Sequence, residues 1–170
     1  MLRAMVEARI AQGDRLSVLS RRAAAAGIAG ASAHAADYYD EAAFGRALDE
    51  AMRRSGPIDI AVAWFHTLKI AAARRLAEAV GAPGRPGRLI QVLGSATADP
   101  AHPHRLAAAA AVAEGLPNCR LQQVVLGFVA GPGGSRWLTN AEISDGVLRS
   151  LASGDPLIVA GQVEPWSARP

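Results

Sequence analysis

Hydrophobic positions in this chain switch between helical spacing and short strand-like runs from one end to the other, and that alternation sets the expected fold class. Leu2, Met5, Val6 and Ile10 share one helical face, closed by Gln12 and Gly13. A Leu/Val-rich run over 15–20 reads as a strand stopped by Arg21 and Arg22, and 31–36 as a second, weaker one. Asp40 can cap a helix whose buried stripe is Phe44, Leu48 and Met52, ended by Gly56 and Pro57. Ile58, Ile60 and Val62 begin the next strand, which runs into Trp64, Phe65 and His66. Leu68, Ala72, Leu76 and Val80 make a further helical stripe, stopped by Gly81 and the Gly/Pro loop over 84–87. The run over 89–93 reads as a buried strand ending at Gly94 and Ser95; a short alanine-rich helix over 105–114 and a strand over 121–126 follow. Thr139 and Glu142 have capping-box spacing just ahead of the stripe Ile143, Val147, Leu148 and Leu151. A last strand spans 157–160, and the tail 162–170 is irregular, with no period.

Strands and helices in alternation, with short connections, predict parallel strands joined by right-handed helical crossovers and covered on both faces. The expected class is α/β, a doubly wound, mostly parallel, three-layer sheet in a single domain over 1–170. About five or six strands are expected, with 16–19, 58–62, 89–93 and 124–126 at the centre. The composition agrees, since 51% hydrophobic and 19% charged residues in 170 supply a core and disfavour disorder. No run of about 18 apolar residues lacks a charge, so no membrane span is expected. The first ten residues mix acids and bases and do not read as a leader, which makes cytoplasmic residence the default. Cys119 is the only cysteine, so neither an internal disulfide nor a cysteine-built zinc site holds the fold. The net charge of +3 rests on scattered arginines, with Lys69 the only lysine, and a nucleic-acid surface would need clustered bases. No nucleic-acid partner is expected.

In such a sheet ligands bind beyond the carboxyl ends of the strands. The residues there are Ser20, Arg21 and Arg22; Asp37 and Tyr38; Ala63, Trp64, Phe65 and His66; Gly94 and Ser95; and Gly127, Phe128 and Val129. In that order they resemble the short-chain dehydrogenase/reductase family, which binds NAD or NADP on a Rossmann sheet. The resemblance runs over nearly the whole chain. It implies that Arg21 and Arg22 stand at the cofactor-selecting position, Asp37 near the adenine, Ala63 and Trp64 in the Asn-Asn-Ala-Gly segment, Ser95 at the catalytic serine, and Gly127 and Val129 in the loop beside the nicotinamide. The segment from Ser135 through Trp137 to Thr139, Glu142 to Gly146, and Gly161 to Trp166 are similar to a divergent bacterial subgroup of that family.

Three departures shape the expectations. The family opens with a strand and a glycine-rich turn whose N–H groups hold the pyrophosphate, and Met1 stands where that turn should end. The first family strand and its turn are therefore expected to lie upstream of Met1 or to be lost, leaving this Rossmann-like sheet without that strand between 16–19 and 58–62. The family's Tyr-x-x-x-Lys pair belongs between Ser95 and Leu121, where this chain has neither residue; its only tyrosines are Tyr38 and Tyr39. Bulky Trp64, Phe65 and His66 replace the asparagine-containing motif.

Read for chemistry, Arg21 and Arg22 offer paired donors for the 2′-phosphate of NADP, or else solvate a helix start. Asp37 serves equally as a turn residue. Ser95 can hydrogen-bond a carbonyl substrate but cannot alone protonate one; the bland reading is a turn serine. His66 can replace the missing acid, since imidazole titrates near neutrality, or sit as a structural histidine. His102 and His104, with no carboxylate nearby, make a poor metal set. Trp64, Phe65, Trp137 and Trp166 read as packing residues, and 131–134 as a flexible loop. The function implied is an NAD(P)-linked oxidoreductase in its complete form, acting on an unidentified small molecule, with impaired or atypical catalysis here and weak NADP binding. The alternative is a non-catalytic Rossmann-like domain that binds a small molecule or another subunit. A homo-oligomer is expected. The missing strand forces its neighbours to pair directly or to borrow a strand from another copy, leaving the Leu2, Met5 and Val6 face for a neighbour to cover.

Overall fold

The computed structural model describes residues 1–66 and 70–170; Leu68 of the expected helical stripe lies outside them. The chain begins with α1 (Arg3–Ala11), β1 (Leu16–Ser20), α2 (Ala23–Ala26) and β2 (Ala31–Ala35). It continues through α3 (Glu41–Ser55), β3 (Ile60–Trp64), α4 (Ile70–Ala79), β4 (Gly87–Leu93), α5 (His104–Ala110) and β5 (Cys119–Leu126). The last part holds β6 (Phe128–Gly131), β7 (Gly134–Trp137), α6 (Asn140–Ser153) and β8 (Leu157–Ala160). The helix expected over 105–114 is split, with a 3-10 turn at Ala111–Ala113 completing α5.

All pairings among β1 to β5 and β8 are parallel, but they form two pieces, a two-stranded sheet β1-β2 and a four-stranded sheet β3-β4-β5-β8. The continuous sheet expected from the sequence is thus broken, and the break falls between β1 and β3, where the resemblance leaves room for one strand. Among the described residues β1 and β3 do not pair with each other, so the direct repair has not occurred. Residues 16–19 of β1 are only half-buried.

The strand code explains the layers. Alternate residues of a strand face opposite sides. Ala61, Ala63 and Leu89 pack with Phe44 and Leu48 of α3 and Ala72, Leu76 and Ala77 of α4. Ile90, Val92, Val124 and Leu126 pack on the other face with Met5 of α1 and Ile143, Val147 and Leu151 of α6. Central β4 and β5 are buried on both faces over 89–93 and 122–126, where their sequences are apolar except for glutamines. Two glutamines on β5 keep their amides paired: Gln122 Nε2 donates to the carbonyls of Ser150 and Asp155, and Gln123 Nε2 donates to Gln91 Oε1 at 3.1 Å.

The α1 face does not await a neighbour. Met5 is 4% exposed and packs with α6, while Leu2 and Val6 lie half-buried against the same cluster as Ile60, Val62 and Trp64. Helices therefore bridge the broken sheet from both sides, α1 packing on β1 and α6, and α3 packing on β1, β2 and α4.

Both sequence-derived caps form. Asp40 Oδ1 accepts the Ala43 N–H at 2.8 Å, and Thr139 and Glu142 close a capping box at α6. Arg136 grips the same Glu142 carboxylate through two hydrogen bonds of 2.9 Å. That guanidinium, with the Thr139 backbone and hydroxyl, holds the Glu142 carboxyl down at about 2. The grip ties β7 to the start of α6. The segment over 131–134 turns an antiparallel hairpin, Phe128 opposite Trp137, and is not the free loop expected. Apolar residues that run from fully buried Phe128 into a Gly-Pro-Gly-Gly turn are a hairpin signal.

Candidate functional site

The carboxyl ends of the parallel strands form a rim in the order Tyr38, Arg21, His66, Ser95, Gly127 and Gly161, following β2, β1, β3, β4, β5 and β8. The β1-β2 end carries the exposed cations Arg21 and Arg22, whose side chains make no hydrogen bond or ion pair among the described residues. Asp37 is used locally, its Oδ1 accepting the Tyr39 N–H at 3.0 Å. This is the turn role.

Tyr38 bridges the break at the rim. Its hydroxyl oxygen accepts the His66 N–H at 3.3 Å, and its ring meets Phe65 edge-on at 5.1 Å. Burial pushes the Tyr38 phenol above its ordinary value, helped by Tyr39 and opposed by the Arg21 charge. A catalytic tyrosine needs the opposite shift. His66 is exposed, with its ring edge-on to Trp64 at 5.6 Å. Ala63 is buried among α3 and α4 side chains, and Trp64 leans toward Gly94, so neither leaves the open space of a small-residue turn.

Ser95 is 7% exposed, and its Oγ accepts the Nε–H of Arg169 at 3.0 Å. No tyrosine or lysine is bonded to it among the described residues. The Arg169 guanidinium lies over the rings of both Trp137 and Trp166, at 5.0 and 5.1 Å from their centroids. Ser135 donates its hydroxyl to the Ala168 carbonyl, and Ala168 N–H bonds back to Pro165 in a 3-10 turn over Trp166–Ala168. The tail, expected to be irregular, is thus tied down at the rim over Ser95. Trp137, expected to pack, is 45% exposed. Sequence reasoning missed Arg169; the available signal was an arginine three residues after Trp166, in a segment already noted for its tryptophans.

Gly127 sits where β5 meets the hairpin, and a Cβ there would stand 2.0 Å from the Gln162 carbonyl oxygen. Phe128 and Gln162 exchange two backbone hydrogen bonds of 2.9 Å. The residues assigned to a nicotinamide loop therefore form a paired backbone. Val129 lines a hollow of about 400 Å³ with Leu138, Ala141, Glu142, Asp145, Arg149 and Gly161, a lining that does not include Ser95.

Contrary to the expectation that no carboxylate lies near the histidine pair, His102 is engaged by Asp99, Nδ1 to Oδ2 at 3.1 Å, because the turn after β4 brings residues three apart together. The Ala101 N–H, this histidine and Arg105 hold the Asp99 carboxyl below its usual range. Among the described residues no group of three or more His, Cys, Asp or Glu is placed to hold a metal, and no helix is long and apolar enough to cross a membrane.

The fit to a dinucleotide is split. Two unpartnered arginines suit a ribose phosphate. The start of α1, with Leu2 at its N-cap and no side-chain cap, leaves its first N–H groups free, but the residues described there form no glycine-rich turn to cradle a pyrophosphate.

No protein-family model and no curated protein matches the chain. Solved structures do match. A short-chain dehydrogenase from Streptomyces avermitilis is 17% identical with a TM-score of 0.66, covering 94% of this chain and 83% of that one. A short-chain dehydrogenase/reductase, glucose/ribitol dehydrogenase, from Brucella melitensis is 18% identical with a TM-score of 0.65, covering 94% and 89%. An alcohol dehydrogenase from the archaeon Thermococcus sibiricus, complexed with 5-hydroxy-NADP, is 16% identical with a TM-score of 0.64, covering 94% and 89%. The likeness is one of fold: this chain has a short-chain dehydrogenase/reductase-like fold.

Proposed function

We propose that this chain is a short-chain dehydrogenase/reductase-like protein of the NAD(P)-linked oxidoreductase type. In the chain as it stands, it retains ligand-binding ends but has impaired hydride transfer. The observation that carries the reading is the partner of Ser95: an arginine, which cannot give up its proton, occupies the place where a carbonyl reductase needs a proton donor. NADP, when bound, would supply the hydride; Arg21 and Arg22 would take its 2′-phosphate, and Ser95 would donate to a substrate oxygen. With no acid bonded to Ser95 among the described residues, binding outlasts chemistry. The same contact favours the second reading, a non-catalytic Rossmann-like binding domain. Cytoplasmic residence, an unidentified small-molecule ligand and a homo-oligomer are part of the proposal, the last because β1 and β3 each keep an unpaired edge among the described residues.

Calorimetric titration tests the nucleotide end. NADP is expected to bind this 170-residue form with a dissociation constant of about 0.1 mM or weaker, since the described residues form no glycine-rich pyrophosphate cradle. NAD, lacking the 2′-phosphate, should bind about tenfold more weakly, and the double substitution Arg21→Ala, Arg22→Ala should erase that difference. Micromolar binding of both nucleotides, unchanged in the double variant, would place the phosphate site elsewhere.

A further inference from the structure

We propose that Arg169 and Ser95 together form a subsite for a small 2-oxo carboxylate, with Arg169 as the anchoring residue. The inference rests on the reading of the Ser95 rim as a ligand site and names the class of molecule it takes.

Arg169 stands with Arg21 and Arg22 among the arginines that have no acidic partner among the described residues, and differs from those two in being fixed by its neighbours. Arg3, Arg9, Arg53, Arg54, Arg74, Arg75, Arg85, Arg105, Arg136 and Arg149 each have an acidic partner, whereas Arg169 has none among the described residues. It is nevertheless held in place. Two indole rings lie within reach of its guanidinium, and its Nε–H is fixed on a buried hydroxyl. The Nη1 and Nη2 groups have no bond among the described residues, and Arg169 is an exposed residue, so an anion from solvent can reach it. A planar cation ordered in advance, with one edge unused, matches a carboxylate at little further entropic cost.

Ser95 adds the second half of the specificity. Because Arg169 Nε–H can only donate, the Ser95 oxygen is the acceptor, and the hydroxyl's own hydrogen is left for another partner. That hydrogen can serve a carbonyl oxygen. A carboxylate and a carbonyl on adjacent carbons place both acceptors on one side of a small molecule, as the guanidinium edge and the serine hydroxyl stand side by side here. The aromatic faces of Trp137 and Trp166 suit the carbon skeleton. The hairpin anchored by Arg136 on Glu142 holds Trp137 where Arg169 meets it.

The test is an NMR titration of the full chain without nucleotide, following the indole N–H signals of Trp137 and Trp166, assigned with Trp137→Phe and Trp166→Phe. The probes, at constant ionic strength, are pyruvate, propionate, acetone and inorganic phosphate. Pyruvate is expected to shift both signals saturably in the millimolar range. Propionate, which keeps the carboxylate and lacks the carbonyl, should bind about tenfold more weakly, and acetone should produce no shift. Arg169→Met should remove the pyruvate response, Arg169→Lys should weaken it, and Ser95→Ala should bring pyruvate down to the level of propionate. Equal binding of pyruvate and propionate, tighter binding of phosphate, no saturable shift with any carboxylate, or an undiminished pyruvate response in Arg169→Met would each overturn the proposal. Because NADP is left out, failure here leaves the nucleotide reading standing, and failure of the calorimetry leaves this one standing.

Discussion

Replacing Gly127 with alanine is expected to cost the chain about 3 kcal/mol or more, the upper end for an overpacked site, or to prevent folding. The added Cβ would lie 2.0 Å from the Gln162 carbonyl oxygen, 2.6 Å from its carbon and 3.1 Å from its nitrogen, all of them backbone atoms. No side-chain rotation can relieve such a clash. Gln162 cannot withdraw cheaply, because it exchanges two hydrogen bonds with Phe128, whose side chain is fully buried, and because Gly161 before it holds a φ of +76°. Urea denaturation followed by circular dichroism measures the effect; a midpoint equivalent to less than about 0.5 kcal/mol of change would show that the β5–β6 junction and the tail are not locked together. The functional consequence is larger than the stability figure. The same junction launches the hairpin that carries Ser135 and Trp137, so a folded Gly127→Ala chain should also release Arg169 from Ser95.

The second large effect concerns assembly. Static light scattering at micromolar concentration is expected to return about twice the chain mass of 17.6 kDa. The driving force is not the α1 face, since Met5 is already covered by α6. It is the pair of strands, β1 and β3, each hydrogen-bonded to a neighbour on one side only, which present backbone donors and acceptors that another chain can satisfy. A stable mass near 17.6 kDa across a hundredfold range of concentration would show that water alone serves those edges.

The elements were legible where short-range chemistry fixes them. The Thr139/Glu142 spacing announced α6, Asp40 announced α3, and the run over 89–93 announced a strand buried on both faces. Element order and parallel pairing followed from the alternation of periods. What the local pattern could not give is the lateral arrangement. The sequence over 16–20 looks the same whether its strand has one partner or two, so the split of the sheet appears only when pairings are known. The 128–137 hairpin was missed because the glycines of its turn were read as flexibility and its strands are only four residues each.

The site was legible by position and not by contact. Placing Ser95 after β4 and Arg21 after β1 needed only strand ends. The Arg169–Ser95 bond joins residues 74 apart in sequence, and no local pattern carries a contact of that range. Assigning Trp137 and Trp166 to packing reflected the commoner use of aromatics; their role around a cation emerges only once the hairpin and the tail meet.

Impaired hydride transfer at an otherwise ligand-competent rim is tested most directly by a stopped-flow assay. The protein in excess is mixed with NADPH and a carbonyl compound, and nicotinamide absorbance is followed over a single turnover. A positioned general acid contributes about 10²–10⁴-fold, and typical enzymes turn over at about 10 s⁻¹, so a chain without one is predicted to show a carbonyl-dependent rate of about 0.1 s⁻¹ or less. A carbonyl-dependent rate above about 1 s⁻¹ that disappears in Ser95→Ala would contradict the account, because it would require a proton donor at Ser95 that Arg169 cannot be.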